Sequence, residues 1–162
     1  MKRIIFCMLV FVTGAFAEVD KTQLDLFKKE SVPLRAAIDD IVNASVPGRG
    51  VAESAKATYL EGYGAVFTLE ASLEPTRSPF SSPRTAEEVR KTVMDRRKAI
   101  ETKLEALLKQ RVATLQSVGP ADSLTVVLYL FNSNPVDVPD LPSQIVFTVK
   151  KQAPAQVNIR AF

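Results

Sequence analysis

The sequence predicts an α+β domain, in which one long helix lies across one face of a mostly antiparallel sheet of four to five strands. Two observations support this class. Four segments show the alternating apolar spacing or the short apolar runs of strands, and a much longer segment between them repeats its apolar residues at helical spacing. The predicted element order is α-β-β-α-β-β, in which the long helix links two pairs of strands and covers the sheet that they form.

The first seventeen residues predict export. Lys2 and Arg3 precede an apolar run that ends at Ala17, and Ala15 and Ala17 would occupy the −3 and −1 positions of a cleavage before Glu18. This arrangement is typical of a secretory signal peptide. We therefore expect residues 1–17 to be removed, leaving 18–162 as a single exported domain, periplasmic or secreted, with no stable membrane span. The alternatives are an uncleaved anchor or a buried first helix.

The elements of the first half follow from apolar spacing and from turn residues. Residues 19–46 predict one broken N-terminal helix or two short ones, because Pro33 suits the first turn of a helix and the apolar positions after it recur at helical spacing. Residues 55–60 and 65–73 read as two strands, the second with clear alternation. Glycines on both sides of Tyr63 favour a turn that needs positive φ, and therefore a hairpin.

The second half begins with a proline-rich loop and the long helix. Thr85 and Glu88 form a capping box, and Gly119-Pro120 would end the helix, which predicts helical residues from about 85 to 118. Residues 124–131 are apolar on both faces, as in a central strand, and 145–149 alternate. Val157, Ile159 and Ala161 would add a short strand at the edge of the sheet.

Composition excludes several kinds of chemistry. The chain has no histidine, and its one cysteine is Cys7, within the predicted leader. The mature domain therefore lacks the side chains for a Ser-His-Asp or Cys-His active site, a disulfide or an ordinary zinc site, and we expect no cofactor. Lys2 and Arg3 account for two of the 21 basic residues, so the mature chain has 19 basic and 18 acidic side chains, a net charge of +1. This balance does not favour nucleic acid as a partner.

Two arginines of the long helix are candidate binding residues. Arg97 and Arg111 both fall within its apolar stripe at about 100° per residue. One interpretation is structural, in which their stems pack and their charges are paired. The alternative is a site for an anion or a partner.

Two loops are candidates for an exposed binding patch. Prolines bound both the segment that contains Phe80 and the segment Val136, Asp137 and Val138. Loops on a rigid scaffold commonly carry function. Carboxylate and amide side chains between residues 132 and 140 could also supply oxygen ligands to calcium, but their spacing is not that of a calcium-binding loop, so we expect no metal.

These observations lead to two hypotheses of function. The first is an exported, non-catalytic binding or envelope-associated domain, monomeric or weakly oligomeric, with a protein or envelope partner. The alternative is a small secreted enzyme that uses carboxylates and arginines in a groove between the N-terminal helix and the sheet, without histidine, cysteine or a transition metal.

Overall fold

A computed structural model of the chain describes residues 21–47, 51–75, 84–131 and 135–162. These residues form two helices and five strands: α1 (Lys21–Ser45), β1 (Val51–Leu60), β2 (Gly64–Ala71), α2 (Ala86–Val112), β3 (Ser123–Leu130), β4 (Gln144–Lys150) and β5 (Val157–Ala161). No helix among them is long and apolar enough to cross a membrane.

The strands form one sheet in the order β1-β2-β3-β4-β5. Three neighbouring pairs are antiparallel, and β2 pairs with β3 in parallel. The parallel pair follows from α2, which leaves the end of β2 and returns the chain to the start of β3. The predicted α+β class, with a mostly antiparallel sheet and a long helix on one face, is confirmed.

The core lies between the sheet and the two helices. On β2, Phe67 and Leu69 are buried, and on β4, Ile145 and Phe147 are buried, as the alternation predicted. Phe27 of α1 packs its ring 6.4 Å from that of Phe67. The buried residues of β2 and β4 form one core with those of α1 and α2, so both helices lie on the same face of the sheet, while the intervening residues of β2 and β4 are more exposed.

The prediction of a broken N-terminal helix is wrong. α1 continues through Pro33, although proline donates no backbone hydrogen bond to the preceding turn. Apolar residues on both sides of the proline, including Phe27, Leu34 and Ile38, are buried against the rest of the domain. This continuous packing outweighs the local cost of the proline.

The capping box at the start of α2 is confirmed. The backbone N–H of Thr85 donates to Glu88 Oε2 (2.8 Å), and that of Glu88 donates to Thr85 Oγ1 (3.2 Å). The helix ends at Val112, however, six residues before the predicted end. The reason is a long-range contact: Glu30 of α1 accepts the backbone hydrogen bonds of Gln116 and Ser117, which could otherwise have continued the helix.

The predicted hairpin between β1 and β2 is also confirmed. Gly62 and Gly64 adopt positive φ, at 71° and 115°. A Cβ atom at Gly64 would lie 2.2 Å from the carbonyl oxygen of Ser123. Glycine is therefore required here by both the backbone conformation and the close approach of β3.

Candidate binding surface

One face of the sheet carries neither of the two helices. We call this surface the open face. Its side chains align in cross-strand rows because the pairing is regular from β2 to β5. One row consists of Thr58, Val66, Thr125, Thr148 and Asn158, and the next consists of Lys56, Thr68, Val127, Val146 and Arg160. The open face therefore combines hydroxyl groups, small apolar side chains and charges.

A chain of hydroxyl groups crosses the middle of the open face. The Tyr63 hydroxyl lies 2.8 Å from Thr125 Oγ1, which in turn lies 3.3 Å from Thr148 Oγ1. Tyr63 belongs to the β1–β2 turn, so these contacts fold the turn over the sheet and fix its ring at the margin of the face.

A wide groove runs along β4 and β5, with a volume of about 970 Å³. We call it the β4–β5 groove. Tyr63 and Phe162 line it, as do polar side chains that include Gln144, Thr148 and Asn158. The charged side chains among its described lining residues are Lys150 and Arg160, both exposed and both cationic.

Aromatic side chains gather at the end of the open face where β3 finishes. Tyr129 and Phe131 are 47% and 55% exposed, and Phe162, which follows β5, is 59% exposed. The backbones of Phe162 and Gln144 are hydrogen-bonded, and Gln144 pairs with Tyr129, so these residues lie at the same level of the sheet. Large exposed aromatic side chains on a rigid strand are a common feature of recognition surfaces.

A separate set of charged and hydrogen-bonding groups, away from the open face, lies between α1 and the segment that follows α2. Glu30 accepts hydrogen bonds from the backbone N–H groups of Gln116 (2.8 Å) and Ser117 (3.0 Å), and from the Ser117 hydroxyl (2.6 Å). Burial opposes ionisation, but these hydrogen bonds, with the charge of Lys151, lower the pKa of Glu30 below its ordinary value. Its carboxylate is therefore engaged in holding the structure.

Lys151 and Tyr59 also form hydrogen bonds to the segment that follows α2. Lys151 Nζ donates to the carbonyl oxygens of Leu115 (2.5 Å) and Val118 (2.7 Å). The Tyr59 hydroxyl accepts from Gln23 Nε2 at 2.6 Å and lies 3.4 Å from Asp122 Oδ2. Burial and the negative charge of Asp122 raise the pKa of Tyr59.

Arg96 of α2 forms hydrogen bonds that connect the helix to the end of β2, and the sequence analysis did not select it as a candidate. Its Nη1 atom donates to the carbonyl oxygens of Leu73 (3.0 Å) and Glu74 (2.9 Å), where the chain leaves β2. Burial, together with the charge of Arg84, lowers the pKa of Arg96. Because Nη1 donates to backbone carbonyls, Arg96 stabilises the contact between α2 and the end of β2.

The two candidate arginines do not meet. Arg97 is half-buried in the middle of α2 and forms an ion pair with Glu101, with 2.7 Å between Nε and Oε1. Arg111 is exposed near the end of α2, where it borders a small hollow that also contacts Glu30 and Leu34. Its placement within the apolar stripe was wrong, because the buried positions of this turn are Leu108 and Val112.

The predicted loop patch is divided by the structure. Val136 is 85% exposed, but Val138 is 1% exposed and belongs to the core, so it is not available to a partner. Asp137 is half-buried between them and has an interaction partner. Phe80 and the cleavage residues Ala15, Ala17 and Glu18 lie outside the described residues.

The groove proposed for an enzyme between α1 and the sheet is filled. Phe27, Leu34, Ile38 and Val42 occupy that space and are buried. Within the described residues, no three Asp, Glu, Cys or His side chains come close enough to hold a metal ion.

Sequence reasoning missed the residues of the β4–β5 groove. Thr148, Asn158 and Arg160 are the alternate, non-core positions of strands that were recognised from their apolar residues. The available signal was the alternation itself, which assigns these positions to the opposite face. Comparisons of the chain with protein-family models, with curated proteins and with solved structures found no significant match.

Proposed function

We propose that the protein is an exported, non-catalytic binding domain that recognises a protein or envelope component through the open face of its sheet. The observation that carries this proposal is the asymmetry of the sheet. Both helices pack on one face, while the other presents a groove of about 970 Å³ and exposed aromatic side chains. Because the strands are already ordered before a partner binds, binding at this face costs less conformational entropy than binding through a flexible segment.

Export is supported by the basic start, the apolar run and the small residues before Glu18. A disulfide-free mature domain is compatible with it, because a chain of this length can bury a sufficient core without cross-links. The core that spans both helices and all of the inner strands supplies that stability.

An enzymatic role has less support than binding. The perturbed acidic groups Glu30 and Tyr59 are engaged with the segment after α2, and Glu30 is held by backbone N–H groups. A general acid or base needs access to a substrate in a cleft. These contacts instead connect α1 and β1 to the rest of the fold.

A matched pair of surface substitutions tests the proposal. Tyr129 on the open face and Met94 on α2 are both exposed, at 47% and 37%. Affinity capture from the native envelope or culture medium should recover a specific partner with wild-type protein and with Met94→Glu, and should lose it with Tyr129→Glu. Equal capture by both variants, at unchanged thermal stability, would contradict the proposal.

A further inference from the structure

The two edges of the sheet differ in their capacity to accept another strand. β1 forms one edge, and its pairing with β2 is interrupted by register shifts between Val51 and Lys56. An ion pair between Lys56 and Glu53 adds charges along the same strand. Bulges and charges are the devices by which natural sheets protect an edge from further pairing. The β1 edge is therefore protected.

β5 forms the other edge, and its pairing with β4 is regular along its whole length. Phe162 and Gln144 exchange both backbone hydrogen bonds, at 3.0 and 3.4 Å. In an antiparallel pair, hydrogen-bonded positions alternate along the strand. Asn158 and Arg160 therefore bond to β4, whereas the N–H and C=O groups of Val157, Ile159 and Ala161 are directed away from it.

The side chains of β5 specify what a sixth strand should look like. On the open face, Asn158 and Arg160 are exposed, and Lys150 of β4 lies at the level just before β5 begins. The levels of Arg160 and Lys150 are four residues apart along β4, about 13 Å. On the helix side, the strand presents Val157 and Ile159, which are half-buried and 36% exposed. The complementary strand alternates acidic or hydroxyl residues with apolar ones.

We propose that β5 binds an extended peptide segment as an added antiparallel sixth strand, with two acidic side chains four residues apart facing Arg160 and Lys150. This inference rests on the proposed function, because it assigns a partner chemistry to the β4–β5 groove. Backbone hydrogen bonds supply the affinity, and the two cationic residues, with no acidic side chain among the described lining of the groove, supply the preference for acidic segments.

A synthetic peptide of sequence Thr-Glu-Val-Thr-Val-Glu-Thr tests this arrangement. In the proposed pairing its valines lie opposite Ile159 and Val157, and its first glutamate lies opposite Arg160. Fluorescence polarisation of the labelled peptide at low salt should give saturable binding with a dissociation constant below about 1 mM. The same peptide with glutamine in place of both glutamates should bind at least about threefold more weakly.

N-methylation of the peptide separates strand addition from simple charge attraction. Methylation at both valines removes the N–H groups that would bond to β5, and binding should be lost. Methylation at both glutamates blocks N–H groups on the far edge, and binding should persist. In the protein, Arg160→Gln should weaken binding about threefold, whereas Arg90→Gln, an exposed arginine of α2, should leave it unchanged.

Several results would overturn the inference. These are no saturable binding, equal binding of the glutamine peptide, and equal loss with either methylation pattern. A dimer through β5 that the peptide does not displace would identify a second copy of the chain as the occupant instead. If the peptide fails while Tyr129→Glu still abolishes capture of the native partner, the strand-addition inference is wrong and the proposed function stands.

Discussion

The substitution Glu30→Ala provides the sharpest test of how the fold is held together. Glu30 accepts three hydrogen bonds, at 2.6 to 3.0 Å, from Gln116 and Ser117. Ser117 is fully buried, so its groups would be left without this partner in the variant. A hydrogen bond to a charged group contributes about 1.5–3 kcal/mol when buried, and the half-exposed position of Glu30 reduces this to about 1 kcal/mol each.

The expected loss is therefore about 3 kcal/mol in the free energy of unfolding. For a domain of this size, that corresponds to a fall in Tm of about 6–12 °C. Urea unfolding measures the difference, with Asp40→Ala as the control because Asp40 is an exposed carboxylate on the same helix. The control should change the free energy of unfolding by less than about 0.5 kcal/mol.

The pH dependence gives a second readout. Because the folded state lowers the pKa of Glu30 from its ordinary value of 4.5, its stabilising contribution is fully present above that pH. It is lost as the pH falls through the lower pKa of the folded state. The gap between wild type and Glu30→Ala should therefore be constant between about pH 5 and pH 7 and shrink below about pH 4.5. A loss equal to that of the control, or a gap that widens on acidification, would refute the reasoning.

Three further predictions follow from single positions. Gly64→Ala should destabilise the domain by more than about 3 kcal/mol, since the new Cβ would clash with the Ser123 carbonyl. Gly62→Ala should destabilise it by only about 1 kcal/mol, because no atom lies close to the new Cβ and only the positive φ is unfavourable. Equal losses in urea unfolding would contradict this prediction. Arg111→Leu should change the free energy of unfolding by less than about 0.5 kcal/mol, as the side chain is exposed, and a loss above about 1 kcal/mol would show that its charge is needed. N-terminal sequencing of the native protein should begin at Glu18, and recovery of the intact leader on the mature protein would refute cleavage there.

Much of the architecture could be predicted because the relevant signals are local. The alternation of Phe67 and Leu69 with polar residues places β2 at the surface of a core, and the capping box at Thr85 and Glu88 fixes the start of α2. Positive φ at Gly62 and Gly64 follows from the absence of a Cβ atom. Each of these features is decided by residues close together in the sequence.

The errors arose where distant residues decide the structure. Pro33 favours a break, but packing along the whole of α1 keeps the helix continuous. Gly119 and Pro120 indicate a helix end, but Glu30, more than eighty residues earlier, binds the backbone of Gln116 and Ser117 and ends α2 sooner. A sequence pattern contains no signal for such a contact.

The candidate binding surface was the least predictable feature. Residues such as Thr148 and Arg160 acquire a shared role only through the registers that place β4 beside β5. The loop residues Val136 and Val138 appeared equivalent in the sequence, yet one is exposed and the other is part of the core. Strand order and loop burial depend on tertiary packing, which apolar spacing does not encode.

Site-specific photo-crosslinking in the native host tests the central claim most directly. A photoreactive side chain would replace Asn158, which is exposed on the open face beside the β4–β5 groove, or Thr102, which is exposed on α2. We expect a discrete crosslinked partner from the Asn158 position and none from the Thr102 position. The same partner crosslinked from Thr102 but not from Asn158 would show that recognition occurs on the helices, and would contradict the claim that the open face is the binding surface.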